Sequence, residues 1–163
     1  MKAVFFRHGL AVPHGTQGIA ESDRPLTEEG RKKTTDAAKG LLKLDLELTA
    51  IYTSPLPRAL QTGEILSDVL HLSRPRPLEV LLPGTPVRQL FAELRTLRGE
   101  TPVLVGHEPM LSAAVAFAIG GKASIELKKA GMAFVDFTVG ASRVAGILKL
   151  VLSPGVLRKL GRD

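Results

Sequence analysis

Three features of the sequence predict an α/β fold, a three-layer α/β/α sandwich around a mostly parallel sheet with an antiparallel edge. Short apolar runs at residues 3–6, 50–53 and 103–105 alternate with longer segments of helical periodicity, the order that builds parallel sheets from crossover units. Two strand-like segments, 132–139 and 143–152, follow one another around Gly140-Ala141-Ser142, which predicts a hairpin and antiparallel pairing at the sheet edge. The first and third apolar runs each lead directly into a histidine step, Arg7-His8-Gly9 and Gly106-His107. Ligands of parallel sheets bind beyond the carboxyl ends of the strands, so these two exits predict one shared site.

The remaining elements follow in order. After the opening strand, the loop 10–25, with Pro13, Gly15 and Gly18, is the longest polar stretch near the predicted site and is expected to move. Thr27 caps a helix running to about Leu42, with Glu28 and Glu29 favourably placed in its first turn and Ala37, Ala38, Leu41 and Leu42 facing the sheet. Residues 50–53 form a strand. Ser54 is then the expected N-cap of a second helix, Pro55 its first residue and Arg58 part of its first turn, with Leu60, Ile65, Leu66 and Val69 as a core stripe. Residues 78–81 read as a strand or an extended connection, 87–97 as a third helix, 103–105 as a strand and 110–119 as a buried helix. Nothing in the pattern signals a repeat, a linker or a second domain, so residues 1–163 are expected to form one domain.

Composition narrows the chemistry. The absence of cysteine removes disulfides, zinc–thiolate sites and cysteine-based phosphatase chemistry, and fits a reducing cytosol. A net charge of +6 and a pI near 9.9 raise nucleic-acid binding as a rival class. With no Trp and a single Tyr, the chain offers little to stack bases on, and no nucleic acid is expected as a partner. The Arg158, Lys159 and Arg162 cluster is read as a solvated tail. The richest apolar stretch, 110–119, is too short to cross a bilayer, and no secretory segment is visible near Lys2, so a soluble, cytoplasmic protein without membrane contact is expected. His14 and His71 lack partners at metal-ligand spacing, and no metal or cofactor is expected.

The strand-end residues suit phosphoryl transfer, which asks for positive charge around the equatorial oxygens and a nucleophile in line with the leaving group. Arg7 and Arg58 are permanent cations with planar donor forks. An arginine in a first helical turn opposes the helix dipole, and it makes better sense with an anion between the guanidinium and the helix; the plainer reading is a side chain leaving for solvent. His107 adds a further donor or cation. That leaves His8 as nucleophile, kept neutral by neighbouring arginines, with a backbone carbonyl expected to fix its tautomer.

Arg7-His8-Gly9, then Ser54-Pro55 with Arg58-Ala59 and Gln61-Thr62, then Gly106-His107, taken in that order, resemble the histidine phosphatase superfamily, which also contains the phosphoglycerate mutases. The run from Asp23 to Gly30, the short length, and Ser153-Pro154 resemble its small bacterial phosphohistidine phosphatases of the SixA type. The resemblance implies the phosphoglycerate mutase-like fold, a transient phosphohistidine on His8 that water hydrolyses, and substrate-binding roles for Gly9 and Arg24. For Arg24 a surface ion pair is the other reading, and Asp23 and Arg24 are placed to contact substrate or brace Arg7. Larger members carry an acid between the second arginine and the second histidine, where this chain has residues 78–86 without one in the expected position. Glu79, Glu108 and Asp23 are the candidates, against plainer roles as a loop carboxylate, a helix-entry charge and a partner for Arg24. A weak acid fits phosphohistidine on a protein, such as a phosphotransfer domain of a signalling relay, because an imidazole leaves more readily than an alkoxide. A phosphatase of small metabolites and a silent phosphate-binding module are the alternatives, and a monomer is expected.

Overall fold

The computed structural model describes residues 1–97, 99–140 and 143–162. Its sheet is built from β1 (Lys2–Arg7), β2 (Ala50–Thr53), β3 (Arg76–Pro77), β4 (Pro102–Gly106), β5 (Met132–Val139) and β6 (Val144–Leu152). The helices are α1 (Glu28–Leu42), α2 (Pro57–Leu70), α3 (Val87–Leu94), α4 (Met110–Ala118) and α5 (Pro154–Leu160). The strand order is β3-β2-β4-β1-β5-β6. The first four run parallel, and β5 and β6 join beside β1 as the antiparallel edge. Of the predicted hairpin turn, Ala141 and Ser142 lie outside the described residues.

Strand periodicity sorts the core into two layers. Ala3, Phe5, Tyr52, Leu104, Val135 and Phe137 face α3 and α4, whereas Val4, Phe6, Ile51, Val103, Val105 and Phe134 face α1, α2 and α5. Because β1 and β4 are buried on both faces, their sequences are continuously apolar rather than alternating. Each wholly buried Phe or Leu contributes about 2 kcal/mol of burial free energy.

Several local expectations are corrected. The second helix starts at Pro57, with Leu56 as its N-cap residue, and not at Ser54-Pro55. The cause is Pro57 itself: a residue before proline is driven out of the helical region, and Leu56 is extended at φ −70°, ψ 141°. Ser54 Oγ instead accepts from the Leu56 amide at 3.3 Å. The buried face of α2 is Ala59, Gly63, Leu66 and Leu70; Ile65 and Val69 flank it, and Leu60 lies outside the core. Residues 79–81 form a 3₁₀ turn that buries Leu81, and the edge strand is Arg76–Pro77 just before it. The third helix stops at Leu94, where Thr96 turns back so that both its amide and its hydroxyl bond the Glu93 carbonyl. Arg158 and Lys159 belong not to a solvated tail but to α5, which Ser153 caps and Pro154 opens. Its Leu157 is buried against α1, where Gly40 permits an approach that a Cβ would block at 1.9 Å from the Leu157 carbonyl oxygen.

Candidate active site

Three strands deliver the site to one sheet edge. Parallel register sets Arg7 opposite Gly106 and Thr53 opposite Val105, so His8, His107 and Ser54 leave the sheet at the same level. The His8 amide donates to the Gly106 carbonyl at 3.1 Å and the Ser54 amide to the Val105 carbonyl at 2.9 Å, which carries the ladder into the exits. The short helical start after β2 then turns Arg58 inward, where it is 4% exposed. The solvent-directed reading of Arg58 is thereby excluded.

The imidazoles of His8 and His107 lie with ring centroids 5.0 Å apart. His8 Nδ1 is 2.7 Å from the Gly9 carbonyl, and a carbonyl only accepts, so Nδ1 carries the proton and Nε2 keeps a free lone pair. Burial is the largest influence on His8, opposed by this backbone bond and reinforced by His107, Arg58 and Arg7; together they bring its pKa from 6.5 to about 3. Neutrality was expected from the arginines, but desolvation dominates. Burial, followed by Arg58, Arg24 and Arg7, likewise lowers His107 to about 3, so in the free protein His107 is a neutral ring and not a cation. Among the described residues, neither nitrogen of His107 has a hydrogen-bond partner, nor do the buried Nε atoms of Arg7 and Arg58.

Backbone and hydroxyl groups hold this set. Arg7 donates to the Leu127 carbonyl at 2.8 Å, and the Ala130 amide reaches the carbonyls of both Arg7 and His8. Ala130 does so with a left-handed φ of 59°. Thr62 Oγ1 donates to the Arg58 carbonyl at 2.7 Å and accepts from the Gly9 amide at 3.0 Å, coupling α2 to the nucleophile-bearing turn. Gly9 has no room for a side chain, since a Cβ there would lie 2.2 Å from Thr34 Oγ1. Gln61 Oε1 accepts from the Leu26 amide, anchoring the far end of the 10–25 loop.

Arg7, His8, Arg58 and His107 line an open cleft of about 750 Å³ together with Arg24, Glu21, Glu108, Leu82 and Pro83, whereas Gly9 does not border it and spends its amide on Thr62. Arg24 borders it but does not brace Arg7; its guanidinium bonds both carboxylate oxygens of Glu21, at 2.6 and 2.8 Å, and the Val12 carbonyl. Glu21 also lies 3.6 Å from Arg58 and 2.5 Å from His14. Hydrogen bonds from Arg24 and His14 lower its carboxyl to about 2. Sequence reasoning missed Glu21, which looks like an ordinary loop carboxylate until the fold brings it to two arginines. Of the three candidate acids only Glu108 borders the cleft, and its Oε1 accepts from the Ser112 amide at 3.1 Å. Glu79 is exposed outside the cleft, and Asp23 bonds Ser22 and leaves Arg24 to Glu21, so both are displaced from the acid role by position. Among the described residues, no three His, Asp or Glu side chains are grouped as metal ligands, and no helix is long and apolar enough to cross a membrane.

Comparison with known proteins accords with this geometry. The family model of the histidine phosphatase superfamily (branch 1) matches residues 3–80. An uncharacterized protein of Picosynechococcus sp. is 36% identical over 150 residues, covering 88% of each chain. The structure of the protein histidine phosphatase SixA complexed with tungstate is 30% identical, with a TM-score of 0.83 over 96% of this chain and 99% of its own. A mycobacterial glucosyl-3-phosphoglycerate phosphatase shares the fold at 20% identity, with a TM-score of 0.73 over 93% of this chain and 99% of its own. Taken with the convergence of His8, His107, Arg7 and Arg58, these likenesses mean that the chain belongs to the histidine phosphatase superfamily.

Proposed function

We propose that the protein is a phosphatase working through a phosphohistidine on His8, with phosphohistidine on a partner protein as its substrate. The observation that carries the reading is the His8 tautomer: Nδ1 is committed to the Gly9 carbonyl, and the unprotonated Nε2 stands beside His107 among arginine donors. Nε2 forms a bond to phosphorus as the phosphorus–nitrogen bond of the substrate breaks, and the departing imidazole takes up a proton from the Glu108 carboxyl. Arg7, Arg58 and His107 hold the equatorial oxygens, whose charge favours protonation of His107 once substrate is bound. Water then attacks phosphorus and gives a proton back to Glu108, the bond to Nε2 breaks, and inorganic phosphate leaves. No step requires a metal.

The leaving side supports this substrate class. Leu82 and Pro83 line the cleft from the segment in which the larger members carry an acid, and Glu108, which also borders the cleft, is the candidate carboxylate for the leaving side. A site with so little acid suits an imidazole leaving group better than an alkoxide. The test is turnover of a histidine-phosphorylated phosphotransfer domain and of p-nitrophenyl phosphate by the wild type and by His8→Ala. The expected result is hydrolysis of the phosphodomain, a trapped phosphoenzyme, and loss of both in the variant. Equal activity in His8→Ala overturns the covalent route. Turnover of small phosphate esters alone makes the protein a metabolite phosphatase, and binding without turnover makes it a silent phosphate-binding module.

A further inference from the structure

A second basic hollow opens on the other side of Arg7, between α1, α5 and residues 126–130. It has a volume of about 480 Å³ and is bordered by Arg7, Lys33, Lys128, Lys129 and Arg158, with Glu126 as the carboxylate on its rim. Glu126 pairs with Lys128, and Lys33 pairs with Glu29 one helical turn away. Lys129 and Arg158 have no carboxylate partner among the described residues, which leaves the hollow with unbalanced positive charge.

Thr34 lines it from α1, but its wholly buried hydroxyl lies against Gly9, so the charged side chains of the border are what the hollow offers a ligand. Arg7, Leu10 and Lys129 border both this hollow and the catalytic cleft, so a substrate seated on His8 extends naturally into it.

We propose that the hollow is a docking subsite for an acidic side chain of the phosphoprotein, an Asp or Glu displayed near the phosphohistidine. The inference rests on the phosphohistidine reading given above. An isolated phosphorylated imidazole is confined to the cleft, whereas a protein surface carries further carboxylates past Arg7. A polynucleotide is disfavoured because, among the described residues, no aromatic side chain lines the hollow.

The test uses Lys33→Glu and Arg158→Glu, neither of which belongs to the catalytic set. Lys33 lies on an exposed helix face, so it serves should Arg158→Glu unsettle α5. The probes are a histidine-phosphorylated phosphotransfer domain and free phosphohistidine. The expected result is a rise of about tenfold in KM for the phosphodomain in each variant, with KM for free phosphohistidine unchanged, which also reports an intact fold. Unchanged KM for the phosphodomain overturns the subsite while leaving the phosphohistidine reading standing. An equal rise for both probes overturns it as well, by tracing the effect to a disturbed Arg7. If the wild type hydrolyses p-nitrophenyl phosphate but neither phosphohistidine probe, the functional reading falls and the subsite falls with it.

Discussion

Arg58 is a permanent cation held almost out of solvent in the first turn of a helix, against both desolvation and the helix dipole. Anionic groups offset that cost: Glu21 in the free protein, phosphate in the proposed reaction. Removing the guanidinium by Arg58→Ala is expected to lower kcat/KM by about 3 kcal/mol of transition-state stabilisation, as for other preorganised donors. An unchanged rate places Arg58 outside the chemistry. Glu21 competes with phosphate for the same cations, so Glu21→Gln is expected to tighten inhibition by inorganic phosphate about two- to fivefold, the worth of an exposed ion pair. The two histidines also make stability depend on pH. Each has its pKa lowered from 6.5 to about 3 in the folded protein, so between these values the unfolded chain binds more protons. Their contribution is therefore complete above pH 6.5 and is lost as pH falls toward 3. Thermal melts should show this decline in the wild type and a shallower one in His107→Asn. His8, His107, Arg7 and Arg58 were legible in the sequence because each is tied to a strand end or helix start that local pattern reveals. Glu21 was not, and Thr62 stood there only as part of a motif, since the role of each depends on which distant groups the fold brings near.

Among the elements, β1, β2, β4, β5 and β6 were legible from periodicity and α1 from Thr27, whose Oγ1 accepts from the Gly30 amide at 2.9 Å, whereas the two-residue β3 is too short to show a period. The start of α2 was misread because two prolines compete for the first helical position, and the steric rule at Leu56 decides for the second. The C-terminal helix carries the same Ser-Pro signal at Ser153-Pro154, but its seven residues and following glycine leave too little periodicity to detect. Its attachment is a backbone-to-backbone approach at Gly40. Gly40→Ala raises intrinsic helix propensity by about 1 kcal/mol, yet the new methyl meets the Leu157 carbonyl. The clash is expected to win, with a net loss of about 1–3 kcal/mol in urea unfolding, as for other overpacked contacts. A more stable variant would show that α5 moves away without cost.

At the scale of the whole molecule, the fold class was predictable because alternating order leaves few arrangements open, while the strand sequence in space required the paired register. β1 is flanked by β4 and β5 and covered on both faces, so it should be the last segment to open. Hydrogen exchange is expected to be slowest at Val4, Phe5, Phe6 and residues 103–105, and fastest in the loop 10–25; rapid exchange in β1 would contradict the stability assigned to the strand that carries His8. Val4 pairs with Val103 on one side and Phe134 on the other. During synthesis, then, β1 emerges long before either neighbour exists. An unfinished polypeptide carries a sticky, unpaired stretch there, and the site that β1 holds can assemble only after translation has passed the last of these partners.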